Sequence, residues 1–403
     1  MRWVLETINT PDAPTAADAE ANFAPSFLEV VPAADLPGVF EQLRGQAPLL
    51  VTGIGAGENS VSATVSGEQP LMLNLSVGSD GLIDGLMLSP DPLADRPPAE
   101  DFEQIDAELS EVADKHHLLA AQVEDGVCVP VFEADADKSA PIGSAFKLYV
   151  LGALVDAVTC GDLEWDDDLT ITDALKSLPS GTLQEEPDGT TVTVQEAATA
   201  MISISDNTAT DMLIDAIGVE QVEAVYEDMG LQDPDGLTPL LTTKQLFQLG
   251  WGADDEARAK WSSADTQQLR SILADLAPGV EGVDPAAVTD PMWQEGIDYF
   301  ATANELCSAH VALQERAETP AGEPVRDILS GNPGLPSAAE QFDYLGFKGG
   351  SAPGQLTLTW YGEVGDADMV AVIQVADDSP VDPNVVLGPA SDTLQLLRQE
   401  ISQ

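Results

Sequence analysis

Apolar and polar residues alternate along this chain with two different periods, and the changes of period mark its elements. Residues 1–18, rich in Thr, Pro, Asp and Ala, keep neither period and read as a loose leader. Phe23, Phe27, Leu28 and Val31 recur at helical spacing up to Pro32, and Leu36, Val39, Phe40 and Leu43 repeat it before Gly45. This predicts two short amphipathic helices. From Pro48 the apolar positions switch to strand spacing over 49–54, 61–65, 71–75 and 83–88, with Gly and Asn turn signals between them. Two helices and about four strands predict a small α+β domain over 19–98, its helices covering a curved antiparallel sheet. The repeated prolines of 89–98 forbid helix and weaken strand pairing, so this stretch reads as a stiff linker that closes the domain.

Residues 99–403 read as a second domain. Phe102, Ile105, Leu109 and Val112 form a helical stripe, followed by strand-like 118–123 and 127–132. A mostly helical middle includes 146–158, 194–203, 209–217 and 267–276, after which 345–348, 356–363 and 369–375 return to strand patterning and 392–401 closes the chain as an amphipathic helix. Strands from both ends of this domain must therefore meet in one sheet around a helical middle. No internal repeat is visible.

Composition narrows the function. With 403 residues, 44% of them hydrophobic, two or three packed cores are within reach, and no apolar run is long enough to read as a membrane span. Lys plus Arg number 15 against 70 Asp plus Glu, a formal charge of −55 that opposes binding to nucleic acid or an anionic bilayer. Spread along the whole chain, the excess resembles the acidic surface of proteins from salt-loving organisms, where counterions screen the self-repulsion. Cys128, Cys160 and Cys307 are odd in number and widely spaced, and read as buried, reduced thiols. The first residues lack the apolar stretch of a signal peptide, which fits either a cytoplasmic protein or an exported one in mature form.

Candidate chemistry concentrates around lysine and serine. The three histidines, a solvent-facing pair His116 and His117 and a helical His310, offer little to a Ser-His-Asp triad, and no Gly-x-Ser-x-Gly elbow occurs. Asp166-Asp167-Asp168 and Asp233-Pro234-Asp235-Gly236 lack the terminal bidentate Glu of a calcium loop and read as solvated acidic loops, so neither metal nor cofactor is expected. Lysines are scarce, and two of them sit in motifs. In Gly143-Ser144-Ala145-Phe146-Lys147 a turn leads into an apolar helix, placing Ser144 and Lys147 on one face and Ser144 at the helix start, where backbone N–H groups point at a developing oxyanion. A serine hydroxyl needs a base, and a lysine serves when burial or a second cation lowers its pKa. Ser205-Asp206-Asn207 lies at a break between helices: Ser205 can relay a proton, Asn207 can offer an amide, and Asp206 can hold the turn. Lys348-Gly349-Gly350-Ser351 ends a strand, its glycines letting a substrate backbone approach and Lys348 adding a cation. Each motif alone reads equally as a helix cap or a hairpin turn.

Together, Ser-x-x-Lys, Ser-Asp-Asn and Lys-Gly-Gly in this order resemble the penicillin-recognising serine hydrolases, nearest the class A β-lactamase type. The stretches 143–151, 239–247 and 347–354 are similar to the Cpe/LpqF-type serine hydrolases, which pair such a domain with an N-terminal domain of steroid-isomerase or polyketide-cyclase-like fold. The resemblance covers about residue 20 to the end. It implies an α+β fold with an antiparallel sheet and a helical subdomain. Within that fold it makes Ser144 the nucleophile, Lys147 its base, and Ser205 and Asn207 the proton relay and substrate contact. Lys348, Gly349 and Gly350 become the carboxylate-side wall, with the oxyanion between the N–H groups of Ser144 and Ser351. Two departures follow. Lys-Gly-Gly stands for Lys-Thr-Gly, removing a hydroxyl that would grip a carboxylate, and nothing after Ser205 matches the Glu-x-x-Leu-Asn loop that holds a deacylating water. The expected function is a serine hydrolase of small-molecule esters or amides, β-lactam-like ones included, forming an acyl-enzyme at Ser144 with weak or no β-lactamase turnover. The alternatives are a non-catalytic small-molecule binding or sensor protein and a D,D-peptidase. Oligomeric state is not legible.

Overall fold

In a computed structural model, residues 1–402 are described apart from 12, 57–59, 68, 79–80, 92, 95 and 278–282. The chain divides into two units, one of Met1–Pro97 with Leu335–Gln341 and one of Pro98–Gly334 with Phe342–Gln403. Both combine helices with an antiparallel sheet.

In the first unit, helices α1 (Arg2–Asn9), α2 (Ala16–Asn22), α3 (Pro25–Val30) and α4 (Leu36–Leu43) precede four strands, β1 (Leu50–Ala56), β2 (Ser60–Ser66), β3 (Pro70–Val77) and β4 (Ile83–Pro90). The strands pair in chain order as an antiparallel meander. Alternation on β3 buries Leu71, Leu73 and Leu75 against Phe23, Leu36 and Phe40 of the helical layer. A short helix, Pro336–Ala339, packs on β1 and β2 from a distant part of the chain, with Leu335 and Ala338 buried. The loose leader expected over 1–18 is instead largely helical. Val4 and Ile8, one turn apart, are completely buried, and the Asn9 side chain exchanges two hydrogen bonds with the backbone of Leu49 (2.7 and 2.8 Å), which anchors the helix end as a neighbouring strand would. The helix expected around 23–31 is shorter, α3 (Pro25–Val30), and buried Phe23 lies outside it, just after α2. The expected turns at 57–59 and 79–80, and residues 92 and 95 of the linker, lie outside the described residues.

The second unit is built on a five-stranded antiparallel sheet of β5 (Lys115–Glu124), β6 (Val127–Ala134), β7 (Tyr344–Ala352), β8 (Gln355–Val364) and β9 (Ala367–Ala376), in the order β7-β8-β9-β5-β6. Strands from both ends of the unit thus meet at the β9–β5 pairing. Asp125-Gly126, both with positive φ, make the two-residue turn between β5 and β6. Helices α5 (Phe102–Val112), α6 (Lys147–Cys160), α7 (Val194–Ser203), α8 (Asn207–Ile217), α9 (Thr243–Phe247), α10 (Ala303–Ala317) and α11 (Pro383–Ile401) surround the sheet and fill the middle of the chain. Reciprocal caps by Thr193 with Glu196, Thr242 with Gln245 and Thr302 with Glu305 start α7, α9 and α10. By length and composition Gly143–Cys160 could cross a membrane. Here it is the central core helix, and every residue of 147–155 is buried, as an all-round apolar helix requires.

Two expectations about side chains are corrected. Cys128 on β6 and Cys307 on α10 form a disulfide across 179 residues of sequence, leaving only Cys160 free, and Cys160 is exposed rather than buried. An odd count concealed one pair, because the fold packs α10 against β6. His117 is buried rather than solvent-facing: its Nδ1 lies 2.7 Å from the Asp135 carbonyl, and burial lowers its pKa. Replacing both Cys128 and Cys307 by serine is expected to lower the unfolding free energy by about 2–5 kcal/mol, since it frees a long loop in the unfolded chain. Thermal unfolding that is the same for wild type and variant under non-reducing conditions would contradict this.

Candidate active site

Residues 140–155 are all buried except Ser144. A single 3-10 turn, Gly143–Phe146, runs directly into α6, and in 3-10 geometry residues three apart eclipse each other. Lys147 therefore sits beneath Ser144, fully buried at the first position of α6. Its Nζ donates to the Ser205 carbonyl (2.7 Å) and to Asn207 Oδ1 (2.8 Å), and lies 3.1 Å from Ser205 Oγ. The amide of Asn207 is oriented by its own Nδ2, which donates to the Leu178 carbonyl (2.9 Å). Burial, reinforced by the charge of Lys348 and opposed by Asp206 and Asp211, holds the Lys147 ammonium well below its ordinary pKa. Two carbonyl-type acceptors occupy the two N–H bonds of a neutral amine, so its lone pair is left for a hydroxyl proton.

Ser205 and Asp206 occupy the break between α7 and α8. Ser205 has left-handed backbone geometry (φ 57), a strained conformation for a non-glycine residue, and its carbonyl also accepts from Ser180 Oγ (2.6 Å). Asp206 accepts backbone N–H bonds from Thr182, Leu183 and Ala209 (2.7–2.9 Å), which fixes the turn and caps α8. Lys348, buried on β7, donates to the Gly349 carbonyl (2.6 Å) and reaches Ser205 Oγ at 3.1 Å. Burial lowers its pKa to about 7. One hydroxyl thus bridges two buried amines and can pass a proton between them.

Gly349, Gly350 and Ser351 follow on β7, opposite Leu358, Thr357 and Leu356 of β8. Gly350 also serves a contact that its sequence does not announce. A Cβ there would fall on the Ile142 carbonyl oxygen and within 2.7 and 2.8 Å of the amide nitrogens of Ser144 and Ala145. Its absence lets the strand lie directly on the serine turn. A Cβ on Gly143 (φ 46) would in turn stand 2.9 Å from the Ser351 nitrogen, so the amides of Ser144 and Ser351 flank one contact between turn and strand. All eight candidate residues belong to one constellation: Ser144, Ser205, Asn207, Lys348, Gly349, Gly350 and Ser351 line a cavity of about 490 Å³, with Lys147 buried behind it. Among the described residues, no Asp, Glu or His lines that cavity.

Sequence reasoning passes over Asp298. Its buried Oδ1 accepts the N–H of Gly143 (3.0 Å), next to Ser144, and that of Tyr299 (2.7 Å), while Gln355 Nε2 lies 3.5 Å from Oδ2. Burial raises its pKa to about 7, against these hydrogen bonds. A raised carboxyl pKa favours the folded state most below about pH 4, where both states hold the proton. That advantage declines as the unfolded chain ionises and is gone once pH has risen through about 7. Among the described residues Gln355 Oε1 is buried without a partner, and an asparagine at 298 would supply a donor while keeping the Oδ1 acceptor. Asp298→Asn is therefore expected to stabilise the protein by about 1–2 kcal/mol at pH 8 and by much less at pH 5; thermal unfolding at the two pH values decides it.

Comparison with known proteins agrees with this geometry at the level of fold. Residues 102–277 match the profile of the Beta-lactamase enzyme family, and residues 1–83 that of the ORF 12 gene product N-terminal region. The β-lactamase from Sphaerobacter thermophilus is 20% identical, with TM-score 0.54, over 75% of this chain and 98% of its own. A PBP-A variant in an acyl-enzyme complex with penicillin G is 16% identical, with TM-score 0.51, over 76% and 99%. A variant of the last common ancestor of Gram-negative bacteria class A β-lactamase is 18% identical, with TM-score 0.52, over 75% and 98%. No curated protein matches the chain. The chain thus carries a fold of class A β-lactamase and penicillin-binding-protein type.

Proposed function

We propose that the protein is a serine hydrolase of the Cpe/LpqF type that forms an acyl-enzyme at Ser144 on a small-molecule ester or amide. The observation that carries this reading is Lys147, a fully buried lysine with a depressed pKa beneath the one residue of its segment that is not buried. Neutral Lys147 takes the Ser144 proton as Oγ attacks the substrate carbonyl. The N–H groups of Ser144 and Ser351 receive the oxyanion. The proton passes through Ser205 to the leaving group, and Lys348 with Ser351 holds an anionic end of the substrate.

Release is the slow half. Deacylation needs a base for water, and no carboxylate or imidazole lines the cavity among the described residues. The acyl-enzyme is long-lived in consequence, and β-lactams are turned over slowly or not at all. An acyl-enzyme complex with penicillin G is the state of the PBP-A variant that shares this fold. The test is intact-mass spectrometry of wild type and Ser144→Ala after exposure to a fluorophosphonate, a penicillin and an activated ester. A persistent adduct on wild type alone is expected. No adduct from any probe, with the protein folded, overturns the hydrolase reading.

A further inference from the structure

Resting on that reading, the walls of the same cavity point to what the acyl group is. Only 5% of the chain is aromatic, yet Phe146, Phe247, Trp251, Tyr299 and Phe347 all line the cavity. The chain passes from α9 into a single π turn, Gln248–Gly252. This sets the rings of Phe247 and Trp251 side by side, with centroids 5.8 Å apart, and Leu246 and Val288 extend the same apolar wall. π turns inside helices are frequent at functional sites. Trp251 Nε1 is buried away from solvent and, among the described residues, has no hydrogen-bond partner, so what Trp251 presents to the cavity is its ring. An aromatic and aliphatic wall of this kind is complementary to a flat apolar group.

We propose that Leu246, Phe247, Trp251 and Val288 form an acyl subsite for a planar, aromatic acyl group. With Lys348 and Ser351 of β7 taking the anionic end of the substrate, the wall on α9 and the π turn receives the acyl end. Ser144 Oγ bonds to the acyl carbon as the alkoxide leaves, and water later restores the serine and frees an aromatic carboxylic acid.

The test uses esters of 3-hydroxybenzoate, so that the leaving group always carries a carboxylate, with acetyl, cyclohexylacetyl and naphthylacetyl groups as acyl parts. Acylation kcat/KM is expected to be about a hundredfold higher for naphthylacetyl than for acetyl. Naphthylacetyl should also exceed cyclohexylacetyl by about tenfold, since a flat ring lies better beside the rings of Phe247 and Trp251. Phe247→Ala and Trp251→Ala should each reduce the aryl-to-acetyl ratio, with circular dichroism confirming that both variants fold. Equal rates for acetyl and aryl esters, or ratios that survive both substitutions, overturn the subsite. Calorimetric titration of Ser144→Ala with the same esters reads the subsite without chemistry. If wild type acylates with none of the esters, the hydrolase reading fails by itself, and the subsite then stands or falls on whether the aryl ester binds Ser144→Ala at least about tenfold tighter than the acetyl ester.

Discussion

Lys147→Ala is expected to slow acylation of Ser144 by about a thousandfold while the protein stays folded. A positioned general base contributes about 10²–10⁴-fold, and among the described residues no carboxylate or imidazole lines the cavity to replace it. Lys147→Arg is expected to be as inactive as the alanine variant, because a guanidinium keeps its proton and cannot act as base. The pH profile separates this role from a structural one. The proposed mechanism needs Lys147 neutral, which its lowered pKa favours, and Lys348 charged to hold an anion, a charge it loses as pH rises through about 7. For an ester with a carboxylate on its leaving group, kcat/KM is therefore expected to fall about tenfold per pH unit above 7. An uncharged ester should lack that alkaline limb, and Lys348→Arg, which keeps its charge, should shift the limb upward. Identical alkaline limbs for both esters would show that Lys348 does not hold the anion.

Gly350→Ala is expected to lower stability by about 3 kcal/mol and to reduce Ser144 reactivity by more than about a hundredfold. The added methyl meets the Ile142 carbonyl oxygen and the amides of Ser144 and Ala145. All three are backbone, so no side chain can swing aside, and β7 must move off the turn that carries Ser144. Gly349→Ala is the control: its methyl would meet chiefly the ring of Phe347, at 2.9 Å, and a ring can shift. Its effect on stability should stay below about 1 kcal/mol. Chemical denaturation of the two variants, together with the adduct rate of Gly350→Ala, checks the argument. Equal stabilities would mean that the strand and turn are not in the contact described.

Much of this architecture is legible in the sequence, because its causes are local. The strand pair of β5 and β6, the alternating strand β3 and the apolar stripe of α5 follow from spacing within a few positions. The three motifs are legible for the same reason, each being a short segment whose backbone form and side chains serve together. What escapes depends on distant partners. The Cys128–Cys307 bond joins residues 179 apart, and α1 is too short for its two buried residues to declare a period. Asp298 acts on the backbone of Gly143, 155 positions away, and a backbone N–H leaves no mark in the sequence. The role of Gly350 is hidden because the atoms that exclude a side chain belong to residues 142–145.

The seven residues Leu335–Gln341 belong to the first unit although they follow most of the second in the chain. During synthesis the ribosome must therefore deliver residues 98–334 before the first unit has all its parts, so the usual order of N-terminal domain first cannot run to completion here. Until then β1 and β2 lack the helix Pro336–Ala339 that packs on them. Cutting the gene at residue 98 would not yield two whole proteins: one fragment would lack that helix, and the other would carry Leu335 and Ala338 with nothing to bury them.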